Sequence, residues 1–225
     1  MKAFKSLAFA AAALLCFASC DIYEFTPGPD PDAFQGVIET ADHVDLGLSV
    51  EWAGCNIGAK KPSQAGNYYA CGEDSVRVYY SVDDYIVDDV VVCRGYKAAT
   101  SKFDPARTKL PEGYRMPTDK QVQELIDNCT IQYCTYERVP GFAVTGPNGK
   151  SIFFPCAGYK AKDKTVNNAG NPTYQATYWF TINGSLLYFK RDVPTTEGNA
   201  DKLYIGSTAN LYLGRPIRPI FVVDD

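Results

Sequence analysis

Short apolar and aromatic runs alternate with Gly, Pro, Asn and Asp along most of the chain. This pattern predicts many short β-strands joined by turns. Four such runs are strand candidates, at 44–53, 66–72, 203–205 and 217–223. Two further pairs of runs enclose an Asn-Gly turn signal and are predicted hairpins, 142–145 with 151–154 and 177–182 with 185–190.

One clear helix is predicted over 118–129. Thr118 can cap it, Gln121 completes a capping box, and the apolar residues that follow recur at helical spacing on one stripe. A helix among short strands predicts an α+β fold and argues against an immunoglobulin-like sandwich, the alternative from the strand pattern alone. Two regions are interpreted as insertions or long loops: residues 74–101, which carry an acidic segment, and residues 159–173, which are polar and rich in Lys, Asn and Gly.

The first 19 residues have the pattern of an export signal. Lys2 and Lys5 precede an uncharged run that ends at Ser19 and is too short to cross a bilayer. Small residues directly precede Cys20, as in a bacterial lipobox. We therefore predict that 1–19 are removed and that Cys20 is acylated, so that the membrane partner is reached through a lipid anchor. A plain secretory signal with an ordinary Cys20 thiol is the alternative.

Residues 20–36 are predicted to form a tether, because Pro27, Pro29 and Pro31 favour an extended chain. The remaining 37–225 fit one domain. Removal of the signal leaves 20 basic and 26 acidic residues, a net charge of −6. That balance argues against nucleic acid as a partner. We expect an exported protein at the outer membrane or cell surface.

Six sequence blocks follow one another in the folded part. They are DLGLSVEWAGCNIGA at 45–59, GNYYACGE at 66–73, YRMPT at 114–118, VTGPNG with IFFPCAGY at 144–159, YW at 178–179 and GRPIRP at 214–219. As a set they resemble the Fibrobacter succinogenes major paralogous domain, a family of exported proteins common in surface lipoproteins of Bacteroidetes. The resemblance implies a C-type-lectin-like domain with paired N- and C-terminal strands and long loops.

The resemblance also implies a function, a non-enzymatic binding or adhesion module for glycan or protein. Related formylglycine-generating enzymes use two cysteines late in the chain, and none follows Cys156 here. Two alternatives stay open: a carboxylate-based hydrolase on the same fold, and a structural subunit of a surface assembly. No catalytic constellation is visible in the sequence, and we predict no cofactor.

Six cysteines follow Cys20, and an even number in an exported chain favours disulfides, with 15 possible connectivities. The resemblance implies particular pairs, because two of the six stand where the family usually has another residue and two where it often has cysteine. The implied pairs are Cys71–Cys156, Cys55–Cys129 and, by remainder, Cys93–Cys134. Buried reduced thiols are the alternative, and the absence of a C-x-x-C motif argues against a metal site.

Several charged residues invite a chemical role. Glu73 and Arg115 lie in family-like blocks, and we predict that they form a structural ion pair. His43, the only histidine, is interpreted as a solvated turn residue because no nucleophile is assigned to it. The acidic stretch is interpreted as a solvated loop, since it lacks EF-hand spacing for Ca²⁺. Its carboxylates are Asp83, Asp84, Asp88 and Asp89.

The chain has 16 tyrosines, whose flat rings and hydroxyls suit contacts with sugars and peptides. Two of them bracket the polar loop that begins at 159. The binding candidates on this loop are Tyr159, Lys160, Asn167, Asn168, Asn171 and Tyr174.

Overall fold

The computed structural model describes residues 33–83, 103–166, 175–180, 184–191, 201–208 and 210–222. The strands in these ranges are β1 His43–Val44, β2 Glu51–Ala53, β3 Tyr114–Arg115, β4 Thr130–Tyr136, β5 Val139–Thr145, β6 Ser151–Pro155, β7 Tyr159–Ala161, β8 Lys164–Val166, β9 Gln175–Trp179, β10 Ser185–Lys190, β11 Lys202–Ser207 and β12 Ile220–Phe221. The helices in them are α1 Pro105–Lys109 and α2 Asp119–Asn128. Paired strands are antiparallel throughout, so the predicted α+β class is confirmed.

The first sheet joins the two ends of the domain in the order β1-β2-β12-β3. The predicted strand at 44–53 is wrong, because these residues form two short strands with a turn between them. The Asp45 carboxylate accepts a hydrogen bond from the Gly47 N–H at 2.7 Å, and Gly47 has φ of 78°. The Asp45 side chain stabilises the turn in which it lies, and Gly47 adopts the left-handed conformation that the turn requires, so the chain reverses here.

Both predicted hairpins are confirmed. β5 and β6 pair around Gly149, which has φ of 84°, and β9 pairs with β10, which begins just after Gly184 with φ of 83°. β4 pairs with the β5–β6 hairpin to form a three-stranded sheet of order β4-β5-β6. β11 pairs with the β9–β10 hairpin to form a second three-stranded sheet of order β11-β10-β9. The run at 66–72 is not a strand; it is joined to the rest by an isolated bridge between Tyr69 and Arg215.

The α2 helix begins as its sequence predicts. The Gln121 side chain accepts a hydrogen bond from the Thr118 N–H at 2.8 Å, and the Thr118 hydroxyl accepts one from the Gln121 N–H at 3.5 Å. These two bonds satisfy donors that a helix start otherwise leaves open. The α1 helix was not predicted, and its cap is Asp104, whose buried carboxylate accepts from the Ala106 N–H at 2.9 Å.

Two hydrophobic cores lie on opposite faces of the β9–β11 sheet. Tyr178, Leu187 and Phe189 belong to the first core, which also contains Trp52 and Phe154. The next residues in each strand point the other way, and Trp179 and Leu186 belong to the second core with Ile57, Met116 and Ile217. Alternation along β-strands therefore makes this sheet the middle layer of the described fold.

The buried side chain of Arg218, near the C-terminal end of the domain, hydrogen-bonds residues 53–56 and the β6 strand. Its side chain is 1% exposed. It donates hydrogen bonds to the Asn56 side chain at 2.8 Å and to the backbone oxygens of Ala53, Gly54 and Phe153 at 3.1, 3.2 and 2.7 Å. Its guanidinium carbon also lies 4.4 Å from the centre of the Phe154 ring. This buried cation is fully provided with acceptors.

Residues 33–38 run beside the β4–β6 sheet. Ala33 bridges Thr135 and Ile38 bridges Ser151, so the last residues assigned to the tether contact the domain. The lipidation candidate Cys20 and the rest of the tether lie outside the described residues. Among the helices of the described ranges, none has the length and apolar character needed to cross a membrane.

Candidate functional site

The outer face of the β9–β11 sheet, opposite the first core, carries a row of polar and aromatic side chains. Tyr188 in the central strand is paired with Thr177 on one side and Tyr204 on the other. One step along, Lys190 and Lys202 are paired on the same face. Since Trp179 and Leu186 bury the other end of this face in the second core, the row marks the place where the sheet emerges from the interior.

Tyr188 and Tyr204 form a parallel ring stack. Their centroids are 5.2 Å apart with an interplanar angle of 5°, and Tyr204 is 40% exposed. Gly206 makes the arrangement possible, because a Cβ at this position would lie 2.5 Å from the Tyr188 ring. The glycine thus lets the Tyr188 ring lie across the neighbouring strand, where it is half-buried against the second core, while the stacked Tyr204 ring is exposed.

Arg215 lies next to this row. Its Nη1 donates a 2.5 Å hydrogen bond to the Thr177 hydroxyl, and its guanidinium carbon lies 5.2 Å from the Tyr159 ring and 5.3 Å from the Trp179 ring. The residue is 5% exposed, and its Nε is a buried donor for which the described residues offer no acceptor. Arg215 is therefore a desolvated cation held between aromatic faces.

The surroundings of Arg215 explain its electrostatics. Burial lowers the pKa of Arg215, and the phenolic groups of Tyr188 and Tyr159 partly oppose that change. No carboxylate of the described residues is among the groups that affect this pKa. The β9, β10 and β11 strands themselves contain two lysines and no acidic residue.

We refer to this set of residues as the aromatic–cationic face. It comprises Tyr159, Thr177, Tyr188, Lys190, Lys202, Tyr204 and Arg215.

The predicted binding candidates are divided by the structure. Tyr159 contributes its ring to the aromatic–cationic face, whereas the Lys160 ammonium points to the other side of β7 and lies 5.4 Å from the Tyr68 ring centre. Both lie at the start of a short hairpin formed by β7 and β8, where a long loop was predicted. The remaining candidates, Asn167, Asn168, Asn171 and Tyr174, lie outside the described residues.

Sequence reasoning missed most of the face. Tyr188, Tyr204 and Arg215 come from three separate segments, and only strand register brings them together. The available signal was the alternation Leu186, Tyr188, Lys190, which gives one side of the strand an amphipathic character. That alternation does not say which partners flank it.

Two clefts lie beside the second core and share Gly58 and Leu110 in their walls. The first has a volume of 370 Å³ and contains an ion pair of Asp74 with Lys109, at 3.7 Å. The second has a volume of 390 Å³ and includes the side chains of Asp42, Cys55, Lys60 and Tyr114. Both volumes fall in the range typical of small-ligand sites, about 300–1,000 Å³.

The second cleft lacks an activated nucleophile. Burial raises the pKa of the Cys55 thiol above its ordinary value, so the thiol stays protonated at neutral pH. His43 is not a free turn residue as predicted: it hydrogen-bonds Glu51 and stacks on Phe221 with ring centres 4.1 Å apart. Within the described ranges, no Ser, Thr or Cys side chain is hydrogen-bonded to His43.

The structure corrects two of the implied disulfides. Cys71 is buried in the second core, whereas Cys156 packs against the first core. Cys55 lines a cleft, whereas Cys129 caps the end of α2. Cys55, Cys129 and Cys156 are reduced thiols, so neither Cys71–Cys156 nor Cys55–Cys129 is formed. Different packing sites keep the sulfurs of each pair apart.

The remaining implied pair cannot be followed, because Cys93 lies outside the described residues. Cys134 is buried with Ala143 and Phe153 in a small cluster on the face of the β4–β6 sheet opposite the first core.

The predicted Glu73–Arg115 ion pair is also corrected. Glu73 does form a structural pair, but with Arg77: Nε and Nη2 of Arg77 each donate a 2.5 Å hydrogen bond to the carboxylate. Residues four apart in a turn reach each other more easily than residues in distant blocks. Arg115 lies in β3, paired with Ile220, and its Nε has no acceptor in the described part of the chain.

Within the same ranges, no three His, Cys, Asp or Glu side chains are grouped so that they could hold a metal ion. Of the acidic-loop residues, Asp83 is described and exposed, and Asp84, Asp88 and Asp89 lie outside the described residues.

Comparison with known proteins adds no relative: no family model, curated protein or solved structure matches this chain.

Proposed function

We propose that this chain is an exported, lipid-anchored cell-surface protein whose domain is C-type-lectin-like and binds carbohydrate without enzymatic activity. The apolar N-terminal run that ends at Cys20 supports export and lipidation. The antiparallel pairing of β2 with β12, which joins the N- and C-terminal parts of the domain, supports the C-type-lectin-like fold. The resemblance to the Fibrobacter succinogenes major paralogous domain supports both.

The observation that carries the binding function is the stack of the half-buried Tyr188 ring with the exposed Tyr204 ring. The apolar face of a sugar ring packs on a flat aromatic ring, and phenolic hydroxyls supply hydrogen bonds at its rim. A rigid sheet holds these two rings in place, so little side-chain freedom is lost on binding.

A glycan array probed with the purified full chain tests this proposal. The informative variant is Tyr204→Ala, because Tyr204 is exposed and its removal leaves the cores intact. Tyr79→Ala is the matched control, since Tyr79 is 43% exposed and lies outside the aromatic–cationic face.

We expect the wild-type chain and Tyr79→Ala to bind the same glycans, and Tyr204→Ala to lose them while keeping its circular dichroism spectrum. Absence of binding to any glycan, or equal binding by all three proteins, would refute the proposal. Appearance of new reducing ends during incubation would instead identify the hydrolase alternative, and capture of a protein ligand at the same face would replace carbohydrate as the ligand.

A further inference from the structure

We propose that the carbohydrate recognised by the aromatic–cationic face is anionic, and that Arg215 receives its carboxylate or sulfate group. This inference rests on the proposed function and adds the chemical class of its carbohydrate ligand. Its starting point is a buried cation that has no counter-ion among the described residues. Charges that leave water are normally paired or saturated with hydrogen bonds, because desolvation is costly.

Arg218 shows what a saturated buried arginine looks like in this fold. Both residues are almost fully buried, at 1% for Arg218 and 5% for Arg215. The Arg218 guanidinium donates to four oxygen atoms from two parts of the chain, residues 53–56 and β6. Arg215 has one neutral hydroxyl as a described partner, that of Thr177, and a buried Nε without an acceptor. The protein therefore satisfies one of these cations and leaves the other with donor capacity.

The donors that remain have a defined geometry. Thr177 engages Nη1, Nε is buried without an acceptor among the described residues, and no described residue hydrogen-bonds Nη2. A guanidinium edge presents two parallel N–H groups at the spacing of two oxygens in a carboxylate or sulfate. Because Arg215 is desolvated, an anion at this edge is held more strongly than at an exposed lysine, and a neutral hydroxyl gains much less.

The neighbouring side chains indicate a sugar as the bearer of this group. Arg215 is bonded to Thr177, Thr177 is paired with Tyr188, and Tyr188 is stacked on Tyr204. Adjacent strands lie about 4.8 Å apart, so this row extends over roughly 10 Å. That length suits a short oligosaccharide, whose rings would lie on the tyrosines while its acidic substituent reaches the guanidinium.

The charge of the face agrees with an anionic polymer. Lys190 and Lys202 lie on the same face, and the three strands contain no Asp or Glu. The whole chain has a net charge of −4, so a cationic surface is the exception on this protein. Local positive charge attracts an acidic chain and accelerates its binding.

The test compares three oligosaccharides of equal length binding to the full chain: an oligogalacturonate, a sulfated galactose oligomer and a neutral galactose oligomer. Arg215→Gln removes the charge, and Lys120→Gln is the control, because Lys120 is exposed on α2 and lies outside the aromatic–cationic face. We expect one or both acidic ligands to bind the wild-type chain at least about tenfold more tightly than the neutral one, the gain expected from a charged hydrogen bond. Arg215→Gln should abolish this preference, and Lys120→Gln should keep it. The first two arms distinguish carboxylate from sulfate as the preferred group.

Equal binding of acidic and neutral ligands, or a preference that survives in Arg215→Gln, would overturn the inference while leaving the proposed function intact. Failure of every glycan to bind would overturn the proposed function itself. If Arg215→Gln does not fold, the double variant Lys190→Gln/Lys202→Gln decides, since both changes are made at the surface of the sheet. A weaker acidic preference and a shallower salt dependence in this variant support the inference, and unchanged values overturn it.

Discussion

Replacement of Arg218 by methionine gives a sharp test of how the fold is held together. The methionine fills much of the same volume but donates no hydrogen bond. It would leave the Asn56 side chain and the carbonyl oxygens of Ala53, Gly54 and Phe153 without the donor they now share. These acceptors belong to the N-terminal part of the domain and to β6, so the change affects the contact between them.

The expected magnitude follows from counting these acceptors. A buried polar group that loses its partner costs about 1–3 kcal/mol, and such costs are not fully additive within one network. Burial lowers the pKa of Arg218 to about 10, because desolvation of the charged guanidinium is unfavourable. The methionine variant removes this unfavourable contribution, which offsets part of the destabilisation caused by the lost hydrogen bonds. We expect a net destabilisation of about 3–5 kcal/mol, a large part of the 5–15 kcal/mol typical of a domain.

Equilibrium urea unfolding followed by tryptophan fluorescence measures this change, because Trp52 and Trp179 are both buried. Arg138→Met is the matched control, since Arg138 is exposed in the turn between β4 and β5. We expect a much lower midpoint for Arg218→Met at an unchanged slope, and no shift beyond about 0.5 kcal/mol for the control. A loss below about 1 kcal/mol in Arg218→Met would refute the role given to these hydrogen bonds.

Three further predictions concern other parts of the chain. Burial raises the pKa of Cys129 to about 11 and of Cys156 to about 12, from 9.0, so the unfolded thiols ionise first as pH rises. The two protonated thiols contribute fully to the free energy of unfolding below pH 9.0, and this contribution is lost as pH rises towards 12. The double variant Cys129→Ala/Cys156→Ala should therefore show a smaller fall in the free energy of unfolding than wild type between about pH 8 and about pH 11. Thr118→Ala removes the cap of α2 and should cost about 1 kcal/mol in urea unfolding. Cys20→Ser should abolish labelling by palmitate and release the protein from the membrane fraction.

Each of these has its own control. An equal alkaline loss in the double cysteine variant and in wild type would contradict the assignment to the two thiols. Thr165→Ala changes the same residue type at an exposed strand position, and a cost equal to that of Thr118→Ala would show that the cap is not the cause. Cys16→Ser should leave palmitate labelling unchanged, and labelling that persists in Cys20→Ser would exclude Cys20 as the lipidation site.

Local signals in the sequence were sufficient for part of the fold. The capping box at Thr118 and the Asn-Gly turn at Gly149 act within a few residues, and the structure has both where they were predicted. The β4 strand was not predicted, because no local signal marks the point where it begins. Cys129 ends α2 and Thr130 begins β4 directly, without a glycine or proline to mark the boundary. A short turn at Asp45 likewise divided a run of residues that resembled one strand.

The candidate site depended on contacts that no local signal encodes. Arg215 and Arg218 belong to the same six-residue block, yet one is saturated with acceptors and the other is not. That difference comes from segments as distant as Asn56 and Thr177, which the fold brings to each guanidinium. The pairing of Glu73 with Arg77 rather than Arg115 is a different case, because this partner lies only four residues away and is set by the local turn.

A crystal structure of the full chain with a bound oligogalacturonate tests the central claim most directly. The account predicts a galacturonate carboxylate on the Nε–Nη2 edge of Arg215 and a sugar ring on the stack of Tyr188 and Tyr204. An oligosaccharide in the cleft beside Cys55, with the aromatic–cationic face unoccupied, would contradict it.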